Sequence, residues 1–309
     1  MRKFHIFIFF ISVQLLAQQD SYLSLVQFQM PLINPAYAGA EGDQLFSIHS
    51  RSQWANMDMS PRTLSMVYSV ARKKNVGLGL SVVSDELFIE KQTLVALDFS
   101  YKLKLSNDSK LYLGLKGNIN SFSADTSGLI AYSTAEDPAK RNLSRVTPNI
   151  GIGVLYIHKQ YWFSLSSPRL FQSKRDAEIN VLAQNRIHFY LGAGAQFRLN
   201  ETVFLEPQVL LRSTQGMPLV AEGIVWGNYK EKFRLGLGFR SSSVRSFKFN
   251  VNVNKTIALS YAYDVYRNDI LSGMQLNAHE IGIRIGLMSK QQSEELIEVD
   301  PNPVDDAIN

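Results

Sequence analysis

Three carboxylates of the sequence, Asp98, Glu206 and Glu222, have the residue type and setting for general acid–base chemistry. Each lies on the polar face of a segment in which apolar and polar residues alternate, and two such acids facing one interior could act as acid and base. The same polar faces carry many lysines and arginines, so a network of ion pairs in a shared interior is the better interpretation. The charges that we expect to face this interior are Asp98, Lys102, Lys104, Arg198, Glu206, Glu222, Arg234, Arg240 and Arg284.

Other signatures of catalysis fail on spacing or on context. No Gly-x-Ser-x-Gly motif occurs, and the five histidines show no metal-ligand spacing. Three Gly-x-Gly pairs, which begin at Gly77, Gly192 and Gly236, resemble nucleotide-binding loops. Each lies inside an alternating segment with no helix after it, so glycines that reduce bulk or permit curvature are the simpler explanation. The sequence therefore predicts no enzyme, no cofactor and no metal site.

The composition excludes further classes of function and of partner. The 309 residues include no cysteine, which excludes disulfides, thiol catalysis and a lipid-anchored cysteine. The net charge is only +5, because 27 acidic residues are interspersed with 32 basic ones. Without a basic stripe, the sequence predicts no nucleic-acid partner.

The elements that position the interior charges are segments in which apolar and polar residues alternate. Between Phe233 and Val265, for example, apolar residues alternate with Gly, Asn, Arg and Lys over nine or ten positions at a time. This length and pattern are typical of transmembrane barrel strands, which face lipid on one side and a lumen on the other. Fourteen such segments lie between residues 44 and 288. Because lipid cannot satisfy an open sheet edge, we predict an all-β fold, a closed antiparallel transmembrane β-barrel of about 14 strands.

The connections between these segments also alternate in length. Every even-numbered connection is predicted to have four residues or fewer, and every odd-numbered one five or more. The predicted odd connections are 55–61, 85–91, 124–148, 168–185, 212–217, 241–245 and 266–278. Outer-membrane barrels have short periplasmic turns and longer external loops. We therefore expect the odd connections outside the cell and both termini in the periplasm.

The two ends of the chain differ from the barrel. Arg2 and Lys3 precede an apolar run and a small residue, Ala17, so residues 1–17 read as a secretory signal peptide. The run is too short for the alternative, a transmembrane anchor. Residues 289–309 are acidic and contain two prolines, which predicts a flexible periplasmic tail.

The stretch before the barrel, residues 18–43, carries more apolar surface than a free periplasmic leader needs. We predict that it packs inside the barrel or across its periplasmic mouth as a plug of the lumen. Asn34-Pro35 and Gly39 would turn the chain into the first strand. An ordinary flexible leader is the alternative.

Several short motifs, in order along residues 18–288, resemble the PorP/SprF family of the type IX secretion system. They are a string Asn-Pro-Ala-Tyr-Ala-Gly, an Arg-x-Gln-Trp followed by Pro-x-Thr, a Gly-x-Gly strand ending in Asp, a Tyr-x-Tyr-Asp and a His-Glu-Ile. Two departures are Ala278, where the family pattern has Ser, and the acidic tail. The residues that carry the resemblance are Asn34, Pro35, Ala36, Tyr37, Gly39, Arg51, Gln53, Trp54, Asp85, Tyr263, Asp264, His279 and Glu280.

The resemblance implies a non-enzymatic outer-membrane component of secretion or gliding. Its partners would be outer-membrane lipid, periplasmic components of the secretion system, and an exported surface protein or adhesin with a C-terminal sorting domain that it holds at the cell surface. The alternative is a passive channel or a FadL-like transporter for small or hydrophobic solutes, since a 14-stranded barrel can leave a lumen. Conductance in a planar bilayer would separate the two.

Overall fold

The computed structural model describes residues 22–42, 44–54, 60–72, 75–127, 142–174, 184–267 and 277–286. The predicted signal peptide and acidic tail lie outside these ranges, so both stay predictions.

The described chain is almost entirely β-structure. Its strands are β1 Gln44–Gln53, β2 Arg62–Arg72, β3 Val76–Leu87, β4 Glu90–Lys104, β5 Ser109–Ala124, β6 Leu143–His158, β7 Tyr161–Ser167, β8 Ser173–Lys174, β9 Gln184–Asn185, β10 His188–Ala195, β11 Phe197–Arg198, β12 Val203–Thr214, β13 Val220–Tyr229, β14 Phe233–Arg240, β15 Val244–Asn252, β16 Ile257–Tyr266 and β17 Asn277–Gly286. β8 and β9 form a separate ribbon, and β10 and β11 are two parts of one strand that both pair with β12. No helix in the described ranges is long and apolar enough to span a bilayer.

The strands close into a single antiparallel barrel. Each barrel strand pairs with its neighbours in sequence, β7 pairs with β10, and β1 pairs with β17 from Leu45↔Gly286 to Gln53↔Ala278. With β10 and β11 counted once, the barrel has 14 strands. The predicted fold class is confirmed.

The wall of the barrel is apolar outside and polar inside. On β4, Leu97 is 64% exposed on the outer face, whereas its neighbour Asp98 is 3% exposed on the inner face. The same contrast of exposed Leu, Phe and Ile with buried Ser, Asn and charged residues recurs along β5, β14 and β15. Exposed apolar side chains in this arrangement are stable only against lipid, which is the pattern of an outer-membrane barrel.

Two groups of connections define two faces of the barrel. The long-loop face bears 54–61, 88–89, 125–142, 168–187, 215–219, 241–243 and 267–276, and the short-turn face bears 73–75, 105–108, 159–160, 199–202, 230–232 and 253–256. Because Leu45 pairs with Gly286, the barrel begins and ends at the short-turn face.

The strict sorting of connection lengths was wrong at two places, and the bounds of a third connection shifted. The predicted connection 85–91 is only the turn Phe88-Ile89, because polar residues beside it continue the ladder, with an ion pair of 2.7 Å between Glu86 and Lys91. The connection 241–245 shortens to 241–243, and 124–148 shortens to 125–142 because β6 begins at Leu143. In each case the strands continue past the bounds that the sequence pattern predicted, because polar residues near a loop can still pair in the sheet.

Residues 22–42 lie inside the barrel. The segment makes three 3₁₀ turns, Val26–Phe28, Met30–Leu32 and Pro35–Tyr37, and most of its side chains are buried. One cluster packs Val26, Met30, Ile33, Ala36 and Tyr37 against Tyr112 and Leu155 of the wall, and another packs Leu25 and Phe28 against Ile224, Trp226 and Ala262. The apolar content that predicted an interior position thus meets apolar side chains of the wall. We call residues 22–42 the lumen segment.

Candidate functional site

A buried cluster of charges holds the first turn of the lumen segment. Arg51 on β1 donates to Asp264 Oδ2 on β16 at 2.8 Å and lies 3.3 Å from Glu280 Oε2 on β17. Glu280 in turn accepts the backbone N–H of Ser24 at 2.7 Å and that of Leu25 at 3.2 Å. The Ser24 hydroxyl donates to Asp264. Three strands therefore converge on one residue of the segment.

A second set of charges, on the adjoining strands β13, β14 and β15, contacts the same turn. Lys248 Nζ lies 2.9 Å from Glu222 Oε1 and donates to the carbonyl of Ser24 at 2.7 Å. The Tyr22 hydroxyl donates to Glu222, and the Arg240 guanidinium lies 3.3 Å from the centre of the Tyr22 ring, a cation–π contact. Glu222 thus binds the segment and its neighbours on the wall, and it is too buried to act on a substrate.

The whole cluster balances its charge. It contains three cations, Arg51, Arg240 and Lys248, and three anions, Glu222, Asp264 and Glu280, all of them buried. We call these six residues the latch. Burying charges is costly unless they are paired and hydrogen-bonded, and a paired set is strongly destabilised when one partner is removed. The arrangement therefore fixes the position of the segment more than it adds to stability.

A third set of contacts holds the middle of the segment. Lys116 on β5 donates to the carbonyl of Pro31 at 2.9 Å, and its ammonium lies 2.7 Å from Asp98 Oδ1, an ion pair that is not aligned as a hydrogen bond. Asn34 Nδ2 donates to the carbonyl of Val154 at 3.0 Å and to Ser164 Oγ at 2.8 Å. Its Oδ1 accepts the N–H of Ala36 at 2.9 Å and so caps the last 3₁₀ turn.

Glycines of the wall make room for the backbone of the segment. A Cβ at Gly77 would lie 1.9 Å from the carbonyl oxygen of Ala38, one at Gly153 1.9 Å from Asn34 Oδ1, and one at Gly114 2.2 Å from the nitrogen of Ala36. Only glycine permits such an approach. Of the explanations for Gly77, reduced bulk is the one that the geometry supports. Gly39 itself has φ +69°, where its N–H donates to Ser69 Oγ at 2.7 Å and the chain turns toward β1.

Six of the predicted interior charges lie toward the short-turn face. Glu206 accepts from Asn228 Nδ2 at 3.0 Å and lies 3.8 Å from Arg234, and Arg284 pairs with Glu41 at 2.7 Å. Lys102, Lys104 and Arg198 sit near strand ends, and Lys104 and Arg198 are exposed there. The structure thus separates the predicted charges into the latch, the Asp98 pair and a polar rim. In the described ranges no group of three or more His, Asp or Glu residues is arranged to bind a metal.

The comparison with known families shows to which family the chain belongs. The family model described as "Type IX secretion system membrane protein PorP/SprF" matches residues 15–285. The chain belongs to the PorP/SprF family. No curated protein sequence matches it.

Solved structures similar to this PorP/SprF protein are transport barrels. The CymD monoaromatic hydrocarbon channel has a TM-score of 0.51 at 10% identity, covering 84% of this chain and 93% of CymD. The TodX deltaS2S3 mutant, also a monoaromatic hydrocarbon channel, has a TM-score of 0.51 at 8% identity, covering 82% and 92%. The toluene transporter TbuX of Ralstonia pickettii has 0.49 at 8%, covering 82% and 90%. At these identities the likeness shows the fold alone.

In this PorP/SprF protein, residues from distant motifs meet in the lumen. Arg51, Asp264 and Glu280 come from three different motifs and form one side of the latch, while Asn34 and its neighbours line the Gly114–Gly153 wall.

Other motif residues lie elsewhere. The Asp85 carboxylate accepts from the Thr63 hydroxyl at 2.7 Å near the long-loop face. Tyr263 and His279 form an aromatic pair on the outer face, with ring centres 5.0 Å apart. Trp54 has φ +57° and donates its backbone N–H to the carbonyl of Asn277 at 2.7 Å where β1 ends, and Gln53 pairs with Ala278.

Sequence reasoning missed Ser24, Lys116 and Lys248 as members of the site. The two lysines were visible as polar residues in apolar-alternating strands, but nothing in their spacing marked them from other polar positions. Ser24 offered no signal, since its role depends on where the segment runs.

Proposed function

We propose that this protein is a non-enzymatic outer-membrane component of the type IX secretion or gliding machinery that helps to export a partner protein and holds it at the cell surface. The observation that carries the proposal is the occupied lumen. The lumen segment occupies the interior, and open pockets remain on both sides of it: one of about 130 Å³ toward the long-loop face, and two of about 440 and 630 Å³ toward the short-turn face. A barrel filled in this way serves as a scaffold, and the cargo takes another route.

The surface available for an exported partner is the long-loop face. The connections 125–142, 168–187 and 267–276 are the longest of the barrel, and binding surfaces usually lie on loops that a rigid scaffold positions. We place this face outside the cell and the short-turn face, where the barrel ends at Gly286, in the periplasm. Components of the secretion system would then meet the short turns, and lipid would surround the wall.

A second candidate, a channel or transporter for small or hydrophobic solutes, is supported by these pockets and by the fold shared with CymD and TodX. It requires the lumen segment to leave or to shift. The latch of six paired charges and the glycine contacts oppose such movement, so we favour the scaffold.

The test combines crosslinking with conductance. A photo-crosslinking benzoylphenylalanine replaces Phe171, an exposed residue of the long-loop face, and a matched control replaces Lys255 in the short turn 253–256. We expect the Phe171 variant to capture a surface protein that the Lys255 variant does not, and we expect the purified protein to be silent in a planar bilayer. Large steady openings without a captured surface protein would favour the channel.

A further inference from the structure

We infer that the lumen segment crosses the barrel from face to face, and that it delivers the chain preceding Tyr22 at the long-loop face, opposite the face at which β17 ends. The expectation that both termini lie in the periplasm would then hold only for the carboxyl end. The inference does not depend on the proposed function.

The contacts of the segment follow the barrel axis in order. Tyr22 contacts Arg240, the last residue of β14, which ends at the long-loop face. Gln29 contacts Ser47 and Ser65 in the middle of their strands. Glu41 pairs with Arg284, two residues from the end of β17 at the short-turn face.

Contacts at both ends agree with this direction. The cavity beside Tyr22 and Leu23 is also lined by Asp85, near the end of β3, and by Arg169, in the connection 168–187 of the long-loop face. At the other end, the carbonyl of Ala38 accepts from Ser100 Oγ on the half of β4 that leads to the short turn 105–108. The segment therefore makes one pass through the lumen and no return.

The four residues Gln18–Ser21 are too few to lead back. An extended chain covers at most about 3.6 Å per residue, so four residues reach roughly 14 Å from Tyr22. The seven residue steps from Arg240 to Phe233 span about 23 Å along β14. A strand tilt near 40° reduces this to roughly 18 Å along the barrel axis. The path back is also filled by the segment itself, so we infer that a chain cleaved after Ala17, as the sequence predicts, would begin in the half of the barrel next to the long-loop face.

Cysteine labelling tests this assignment without reference to which face is external. The chain has no native cysteine, so single variants Gln19→Cys, Ser242→Cys and Lys255→Cys report separately. Ser242 and Lys255 are exposed in turns of the long-loop and short-turn faces, respectively. Each variant is treated with an impermeant maleimide on intact and on permeabilised cells, and heat-modifiability on gels verifies that each barrel is folded. Asp20→Cys replaces Gln19→Cys if the latter does not fold.

We expect the cysteine at position 19 to follow the one at position 242: both react on intact cells, and the one at 255 reacts only after permeabilisation. If the barrel is inserted the other way round, positions 19 and 242 are both silent on intact cells while 255 reacts. That result would contradict our orientation of the faces but support the crossing. A cysteine at position 19 that follows position 255, or that stays unreactive after permeabilisation while both turn cysteines react, overturns the inference.

Discussion

Glu280 combines two roles that usually belong to different residues, because it pairs with Arg51 of the wall and accepts two backbone N–H groups of the lumen segment. A carboxylate with these partners is fully satisfied although it is completely buried. Losing it leaves two buried backbone N–H groups without an acceptor and removes one of the two carboxylates that neutralise Arg51, which keeps only Asp264.

Glu280→Ala is therefore expected to lower the free energy of unfolding by about 3–5 kcal/mol. The measurement is urea unfolding of the protein in lipid vesicles, followed by the loss of heat-modifiable barrel. The matched control is Glu86→Ala, which breaks the exposed pair with Lys91 and should cost about 1 kcal/mol or less. Equal costs for the two variants would contradict the burial of Glu280 among charged and backbone partners.

The glycine contacts allow a second comparison within one strand. Gly114→Ala places a methyl group against the backbone of Ala36, whereas Gly117→Ala on the outer face meets no atom within 4 Å. We expect Gly114→Ala to cost about 1–3 kcal/mol through overpacking and to loosen the lumen segment, and Gly117→Ala to be neutral. Limited proteolysis of the segment and urea unfolding report the two effects. A stable Gly114→Ala variant with a protected segment would contradict the packing described above.

On the outer face of the strands, the cost of a charged substitution depends on its depth in the bilayer. Leu97 lies at the middle of β4 and points to lipid, so Leu97→Arg should destabilise the barrel by about 2–4 kcal/mol. Leu87→Arg at the end of β3, beside the turn Phe88-Ile89, should cost about 1 kcal/mol or less because the side chain reaches water. Unfolding in vesicles measures both, and similar costs would mean that the apolar band is placed wrongly.

Asp98 shows how the structure changes a prediction made from alternation alone. From the alternation alone, Asp98→Asn is expected to be tolerated much better than Leu97→Arg. The ion pair with Lys116 makes it costly instead, since the substitution leaves a buried ammonium that also binds Pro31.

The lumen segment is the element whose removal should change behaviour most. Deleting residues 22–33 with the signal peptide kept removes Tyr22, Ser24 and the apolar residues that fill the long-loop half. We expect a barrel that is still heat-modifiable but less stable, with new conductance in planar bilayers. The control deletes part of the acidic tail, residues 295–309, and should stay silent. Unchanged conductance after the first deletion would contradict a segment that blocks the lumen.

For the whole molecule, the alternation of apolar and polar residues was enough to predict the strands, their two faces and the fold class. Leu97 beside Asp98, and Leu235 beside Gly236, identify the two faces of a strand wherever it lies in the barrel, so the fold class followed directly. The apolar residues Leu25, Val26 and Phe28 likewise indicated an interior position for the segment before β1.

The latch could not be predicted in this way. Arg51 meets Asp264 and Glu280 only because β1 pairs with β17 in one register and β16 lies next to it, across more than 200 residues of sequence. The direction of the lumen segment is equally hidden, since its apolar residues would be buried by a pass in either direction.

The latch also bears on how the barrel is made. Arg51 lies on the first strand, Asp264 and Glu280 on the last two, and Ser24 precedes them all, so the contacts join parts of the chain synthesised at opposite times. Ring closure between β1 and β17 brings these charges together, and without Ser24 they would face an empty interior. These buried charges are therefore fully paired only when the ring is closed and the amino-terminal segment lies inside it, so closure of the barrel and seating of the segment stabilise each other.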